Sequence, residues 1–160
     1  IAAGTNHGAA LRDDGRVVTW GSMRQRFGAP TDARYEAIAC GFCHTIALRH
    51  DGHVVTWGRD EQRADAPTNA GYVAIAAGHG HSLALHEDGS IVTWGDNRSN
   101  QRSDCPTDAG HRAIAAGPFH SVAIRRDGSI VTWGSNLGNP RADAPTDAGY
   151  VAVACGDGHS

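Results

Sequence analysis

The chain has 160 residues, enough for one ordinary globular domain, and its composition is not that of a collagen, a coiled coil or a disordered protein. Its 14 basic residues are all arginine and lie scattered among 17 acidic ones, for a net charge of -3, so the basic face typical of nucleic-acid-binding proteins is missing. Four cysteines do not make a disulfide scaffold, and no apolar run approaches the roughly 18 residues of a membrane span. We therefore expect no nucleic-acid partner and no membrane insertion.

The sequence repeats itself. Four units of 37, 37, 39 and 39 residues cover 1–37, 38–74, 75–113 and 114–152, and residues 153–160 begin a fifth copy. Because a period of this size determines the whole architecture, it has to be identified before individual elements are assigned. We interpret residues 1–160 as one domain segment built from these repeats.

Within the second unit, the predicted elements are all strands. Residues 44–49 (HTIALR) alternate apolar with small or polar side chains, and residues 54–58 (VVTWG) are rich in β-branched residues. Asp51-Gly52 between them predicts a hairpin with a type I′ turn, and the Asp-Gly pair recurs in each unit. A polar loop ending in Ala-Pro-Thr follows, and then a third short strand at 72–78 (YVAIAAG), whose small residues allow backbones to crowd near an axis.

Three or four short strands in each unit predict an all-β fold in which every unit forms one blade of a β-propeller. The pattern G-x-x-H-[ST]-x-A-[LI]-x-x-D-G-x-[VI]-V-T-W-G resembles the repeat of the regulator of chromosome condensation family, in its compact bacterial form. The resemblance covers essentially the whole chain. It implies four blades belonging to a seven-bladed propeller, which at this repeat length needs on the order of 270 residues.

Residues 40–44 spell C-x-x-C-H, the signature of covalent c-type haem attachment. Alignment of the copies gives a structural alternative. His44 is in register with one histidine in every copy, Cys40 stands where other copies have alanine, and Cys43 lies in a connection that differs in each copy. We therefore expect neither haem nor any other cofactor.

The remaining candidate chemistry also favours structural roles. The repeat histidine is predicted to tie a loop to backbone groups, and no cysteine or carboxylate joins the other histidines at zinc spacing. The four tryptophans have a fixed place in the repeat, which predicts core packing between blades rather than ligand stacking. They are Trp20, Trp57, Trp94 and Trp133. No nucleophile, base and orienting acid recur together, so we predict no enzyme.

The differences between copies point to a binding surface. The two-residue connection before each repeat histidine varies, as do the long polar segments 22–28, 59–65, 96–104 and 135–143. Loops on a rigid scaffold are where binding residues concentrate, although the long segments could equally vary because nothing selects them. The aromatic residues Phe42 and Phe119 are the expected anchors. The predicted partner-binding residues are Thr5, Asn6, Phe42, Cys43, His79, Gly80, Pro118 and Phe119.

These features predict a non-enzymatic scaffold that binds another protein through one rim, alone or as a subunit of a larger assembly. The resemblance implies the same, since the family includes a small-GTPase exchange factor on chromatin, recognition domains of ubiquitin ligases and bacterial inhibitors. The alternative is guanine nucleotide exchange on a small GTPase. In the family that activity is linked to a β-wedge that protrudes from a blade, for which these short units leave no insertion.

Overall fold

The computed structural model describes residues 1–22, 28–59, 65–137 and 143–156, and in these the chain forms four three-stranded antiparallel sheets. Each sheet is one blade. The twelve strands of the described residues are β1 (Ala2–Ala3), β2 (His7–Leu11), β3 (Val17–Gly21), β4 (Tyr35–Cys40), β5 (His44–Arg49), β6 (Val54–Gly58), β7 (Tyr72–Ala77), β8 (His81–His86), β9 (Ile91–Gly95), β10 (His111–Ala116), β11 (His120–Arg125) and β12 (Ile130–Gly134). The all-β prediction and the strands predicted at 44–49 and 54–58 are confirmed.

The hairpins form where Asp-Gly predicts them, but the predicted type I′ turn is wrong. In the second blade Gly52 has a φ of 80°, whereas Asp51 keeps a negative φ. The N–H of Gly52 donates to the carbonyl of Arg49 at 2.9 Å, and the N–H of Arg49 donates to the carbonyl of His53 at 2.9 Å. This is a type I turn closed by a glycine bulge, which requires left-handed backbone only at the glycine.

Large side chains pack between successive blades. Trp57 packs with Leu11 and Val17 of the first blade, and Trp94 packs with Ile46 and Leu48 of the second. Trp133 is buried in the same way against the third blade. Every buried tryptophan therefore covers the blade that precedes its own.

Trp20 departs from the predicted core role, since half of its surface (50%) is exposed. By the repeat geometry it lies on the side of the first blade that faces away from the second. It rests on its own sheet, where a Cβ added at Gly8 would lie 2.4 Å from Cζ2 of Trp20. The correction has a simple cause: in the described residues no blade packs on this side.

The blades are arranged in chain order around an axis lined by the inner strands β1, β4, β7 and β10, each of which contacts the next. Among the described residues, no strand of the first blade pairs with a strand of the fourth. Alanine is the most frequent residue of the inner strands, and its small side chain allows their backbones to approach closely. The described part of the chain contains no helix long and apolar enough to cross a membrane.

Candidate functional site

The repeat histidines connect neighbouring blades through buried hydrogen bonds. Nε2 of His44 lies 2.7 Å from Oγ of Ser82 in the next blade, and Nε2 of His81 lies 2.8 Å from Oγ of Ser121. The same contact joins His7 to the hydroxyl of the second blade at 2.8 Å. The sequence prediction that this histidine binds backbone groups is thus wrong about its partner, which is a side-chain hydroxyl one blade further along.

Burial fixes the charge state of these histidines. His44 and His81 are fully buried, and this burial lowers the pKa of each imidazole to about 4, because desolvation disfavours the charged form. Both rings are therefore neutral at physiological pH, and the histidines serve as interior links between the blades.

The C-x-x-C-H residues occupy structural positions. The imidazole of His44 is engaged with the next blade, Cys43 is buried, and Sγ of Cys40 lies 3.8 Å from Oγ1 of Thr45. In the described residues no group of three or more His, Cys, Asp or Glu side chains could hold a metal ion. The residues that spell a haem motif thus belong to the second blade: Cys40 ends β4, Cys43 lies in the connection and His44 begins β5.

The two-residue connection before each repeat histidine accepts a backbone hydrogen bond from the residue that follows the outer strand of the same blade. The carbonyl of Cys43 accepts a hydrogen bond from the N–H of Arg59 at 3.1 Å, and the carbonyl of Gly80 accepts one from Asp96 at 2.8 Å. The glycine of each Trp-Gly pair makes this approach possible: Gly58 has a φ of 111°, and a Cβ there would lie 2.5 Å from the carbonyl oxygen of Cys43. The connections are therefore fixed parts of the rim.

Three of the predicted binding residues meet in an aromatic cluster, which we define as Phe42, His79 and Phe119. The rings of Phe42 and His79 stack with centroids 4.0 Å apart and planes 20° apart, and those of His79 and Phe119 lie 5.4 Å apart. Backbone hydrogen bonds link the connections across the blades, from the N–H of Phe42 to the carbonyl of His79 at 3.1 Å and from the N–H of His79 to the carbonyl of Pro118 at 3.3 Å. The cluster thus spans three blades on one rim.

The other predicted residues are not part of the aromatic cluster. The side chain of Cys43 is buried and Gly80 is buried, so these two contribute mainly backbone. Thr5 and Asn6 are exposed but outside the aromatic cluster. Thr5 and Pro118 instead line a cavity of about 350 Å³ at the axis, together with Phe42, His79 and the glycines that follow the inner strands.

A second cavity, which we call the rim pocket, was not predicted from the sequence. It has a volume of about 490 Å³ and is lined by the aromatic cluster, by Cys43 and Gly80, by Arg59, and by residues 95–99. Arg59, Asp96 and Arg98 are the charged residues that sequence reasoning missed. The available signal was their position in the variable segments 59–65 and 96–104, but only the fold places both segments against the aromatic cluster.

Comparisons with known proteins agree with this architecture. The sequence model of the regulator of chromosome condensation (RCC1) repeat matches residues 1–26, 35–62, 72–101 and 112–137. No curated protein sequence matches the chain.

Solved propellers resemble the chain over nearly its whole length. The ectodomain of the receptor kinase CR4 from Physcomitrella patens gives a TM-score of 0.78 at 25% identity, over 98% of this chain and 44% of that one. The CRINKLY WD40 ectodomain of the receptor kinase ACR4 from Arabidopsis thaliana gives 0.73 at 25% identity, over 91% and 52%. Prp20p from Saccharomyces cerevisiae gives 0.66 at 25% identity, over 86% and 44%.

The chain spans about half the length of these solved structures. The four matched segments fall one in each blade and together cover more than half of the sequence. They contain the buried histidine, the Asp-Gly hairpin and the Trp-Gly pair that build each sheet. This chain belongs to the regulator of chromosome condensation (RCC1) repeat family.

Proposed function

We propose that this protein is a non-enzymatic propeller scaffold that binds a protein partner through the rim bearing the aromatic cluster. The observation that carries the proposal is the cluster itself. Three aromatic side chains from three blades are held together at a loop surface by stacking and by backbone hydrogen bonds. Aromatic residues, phenylalanine among them, are enriched in protein interfaces relative to the rest of the surface.

Preorganisation supports the same function. Phe119 is 41% exposed, and Phe42 and His79 are half-buried, so apolar surface is available without any rearrangement of the loops. A surface that is already ordered loses less conformational entropy when it binds. Among the structural relatives, Prp20p is described with binding properties to Gsp1p and histones, and both of these partners are proteins.

The scaffold is part of a larger propeller in this proposal, with seven blades as the family resemblance implies. Exposed apolar side chains on the open side of the first blade, Val18 and Trp20, fit a surface that another blade covers. Intact mass determination of the protein from its native source tests this part. A mass near that of seven blades agrees with it, and a mass near 16.7 kDa contradicts it.

Guanine nucleotide exchange on a small GTPase is the alternative. Within the described residues every strand belongs to one of the four blades, so none forms a protruding β-wedge. Nucleotide-release assays against a panel of small GTPases separate the two functions. Accelerated release would replace the scaffold proposal with an exchange factor.

The direct test is affinity capture with the native protein, followed by mass spectrometry and by binding measurements with the partner recovered. The double variant Phe42→Ala/Phe119→Ala should bind that partner at least about thirtyfold more weakly, since a single hot-spot side chain contributes about 2 kcal/mol or more. The matched control is the double variant His50→Ala/Glu87→Ala. It changes exposed residues on the opposite rim, which carries the Asp-Gly hairpins and which we call the hairpin rim, and it should bind the partner as the wild type does. Equal capture by the wild type and the aromatic variant would refute the proposed rim.

A further inference from the structure

The size and lining of the rim pocket suit one side chain of a bound peptide together with the residues that flank it. Its volume of about 490 Å³ lies within the range of roughly 300–1,000 Å³ typical of ligand sites. The aromatic cluster forms an apolar wall along one side. Three charged residues, Arg59, Asp96 and Arg98, also line the pocket. The pocket thus combines an apolar surface with a charged edge.

The charged edge presents guanidinium groups to an incoming ligand. The side chain of Asp96 is 21% exposed, and its Oδ1 accepts a hydrogen bond from the N–H of Arg98 at 3.0 Å. The side chain of Arg98 is 88% exposed, with Nε at 3.6 Å from the same carboxylate oxygen. Arg59 is also exposed, and it forms no ion pair within the described part of the chain. The carboxylate of Asp96 is therefore mostly buried, whereas the side chains of Arg59 and Arg98 are exposed to solvent.

The segment that carries this edge is held in place. The side-chain oxygen of Asn97 accepts hydrogen bonds from the N–H groups of Arg102 at 2.9 Å and Ser103 at 3.1 Å, and its Nδ2 donates to Oγ of Ser103 at 2.7 Å. Gln101 is fully buried, and its carbonyl accepts from Nε1 of Trp133 at 2.9 Å. The part of the pocket wall that carries Asp96 and Arg98 is therefore anchored to the fourth blade and is formed before any ligand arrives.

We propose that the rim pocket binds an acidic peptide segment of the protein partner, with one apolar side chain against the aromatic cluster and neighbouring carboxylates on Arg59 and Arg98. This inference rests on the proposed function and specifies the chemistry of the partner. Guanidinium groups form the strongest side-chain hydrogen bonds with carboxylates, often in pairs. The stacked rings of Phe42 and His79 cover one face of each other, which leaves less ring surface for nucleic-acid bases to stack on.

The test is selection of a random twelve-residue peptide display library on the wild-type protein. We expect selected peptides to contain Asp or Glu next to Leu, Ile, Phe or Trp. Their affinity should fall by about tenfold for Arg59→Gln/Arg98→Gln, the size of a lost charge-assisted interaction. Affinity should also fall as the salt concentration rises, because the arginines are exposed.

The matched control is Arg12→Gln/Arg126→Gln, which removes the same charge from the hairpin rim and should leave peptide affinity unchanged. Selection of basic peptides, of no peptide, or of peptides that bind the Arg59→Gln/Arg98→Gln variant equally well overturns the inference. So does a single-stranded oligonucleotide that displaces the selected peptides. If peptide selection fails while partner capture still depends on Phe42 and Phe119, the proposed function stands and only the acidic chemistry is wrong.

Discussion

Replacing Trp94 and Trp20 by alanine measures how much stability the packing between blades contributes. The two tryptophans occupy the same repeat position, but Trp94 is 0% exposed and Trp20 is 50% exposed. Burying a tryptophan removes roughly 150–250 Å² from water, equivalent to about 4–6 kcal/mol at about 25 cal/mol per Å². Alanine retains a small part of this, which agrees with the 3–5 kcal/mol usual for such truncations.

Trp94→Ala should therefore lower the free energy of unfolding of the 160-residue chain by about 3–5 kcal/mol. Trp20→Ala should lower it by about 2 kcal/mol or less, since only half of the surface is buried and no closed cavity remains. Urea unfolding followed by circular dichroism provides both values. Because Trp94→Ala could prevent folding, Trp94→Phe serves as the milder variant, with an expected loss of about 1 kcal/mol.

Equal losses at the two positions would refute the reasoning. Such a result would mean that Trp94 gains nothing from the preceding blade, and that the arrangement of blades in solution differs from the one described. A larger loss at Trp20 would place the covered face on the first blade instead.

Three further predictions also concern the stability of the fold. Burial lowers the pKa of His44 and His81 below the unfolded value of about 6.5, to about 4 in each case, so their contribution to stability is complete above pH 6.5 and is lost as the pH falls towards 4. Between about pH 7.5 and about pH 5, the free energy of unfolding measured with urea should fall by on the order of 2 kcal/mol per histidine. His81→Gln should make this fall smaller. The same pH dependence in the variant would contradict the assignment of the effect to the buried histidines. Gly58→Ala should lower the free energy of unfolding by more than about 2 kcal/mol, since its Cβ would lie 2.5 Å from a carbonyl oxygen. Gly110 has a φ of 97° and open space around it, so Gly110→Ala should lower the free energy of unfolding by about 1 kcal/mol, measured by thermal or chemical unfolding. Trp133→Phe should lower the free energy of unfolding by about 1 kcal/mol more than Trp94→Phe, because of these two residues only Trp133 donates its indole N–H to a buried carbonyl. Equal unfolding midpoints for the two variants would contradict this prediction.

The strands were predictable because their signals are local. Alternating residues in HTIALR, the Asp-Gly pair and the β-branched return strand place β5 and β6 at the bounds that the structure has. The turn type was not predictable from Asp-Gly alone, since it depends on the number of residues between the last paired positions. Leu48 pairs with Val54, which leaves five residues and requires positive φ only at the glycine.

The links between blades were missed because they join residues about 38 positions apart. A histidine followed by Ser or Thr recurs at His44, His81 and His120, and this pair is the signal that could have suggested a donor in one blade and an acceptor in the next. The exposure of Trp20 could not be read from the repeat either. Identical residues in a repeat differ in burial when only one of them has a neighbouring blade.

The candidate site was predicted in part. Repeat alignment identified the connections that carry Phe42, His79 and Phe119, but the two phenylalanines occupy different positions within their connections, so nothing in the alignment places them on either side of one imidazole. The sequence pointed to Arg59 and Arg98 only as members of the variable segments, and not as predicted binding residues. Their approach to the aromatic cluster follows from the clamping of each connection by the segment after Trp-Gly, which is a tertiary contact.

Hydroxyl-radical footprinting of the protein, free and bound to its captured partner, tests most directly whether the aromatic rim is the binding surface. Phe119 and His79 should become protected in the complex, while Val73, which is 56% exposed at the opposite end of its strand, should be oxidised to the same extent in both states. Protection of Val73 with no change at Phe119 and His79 would contradict the account.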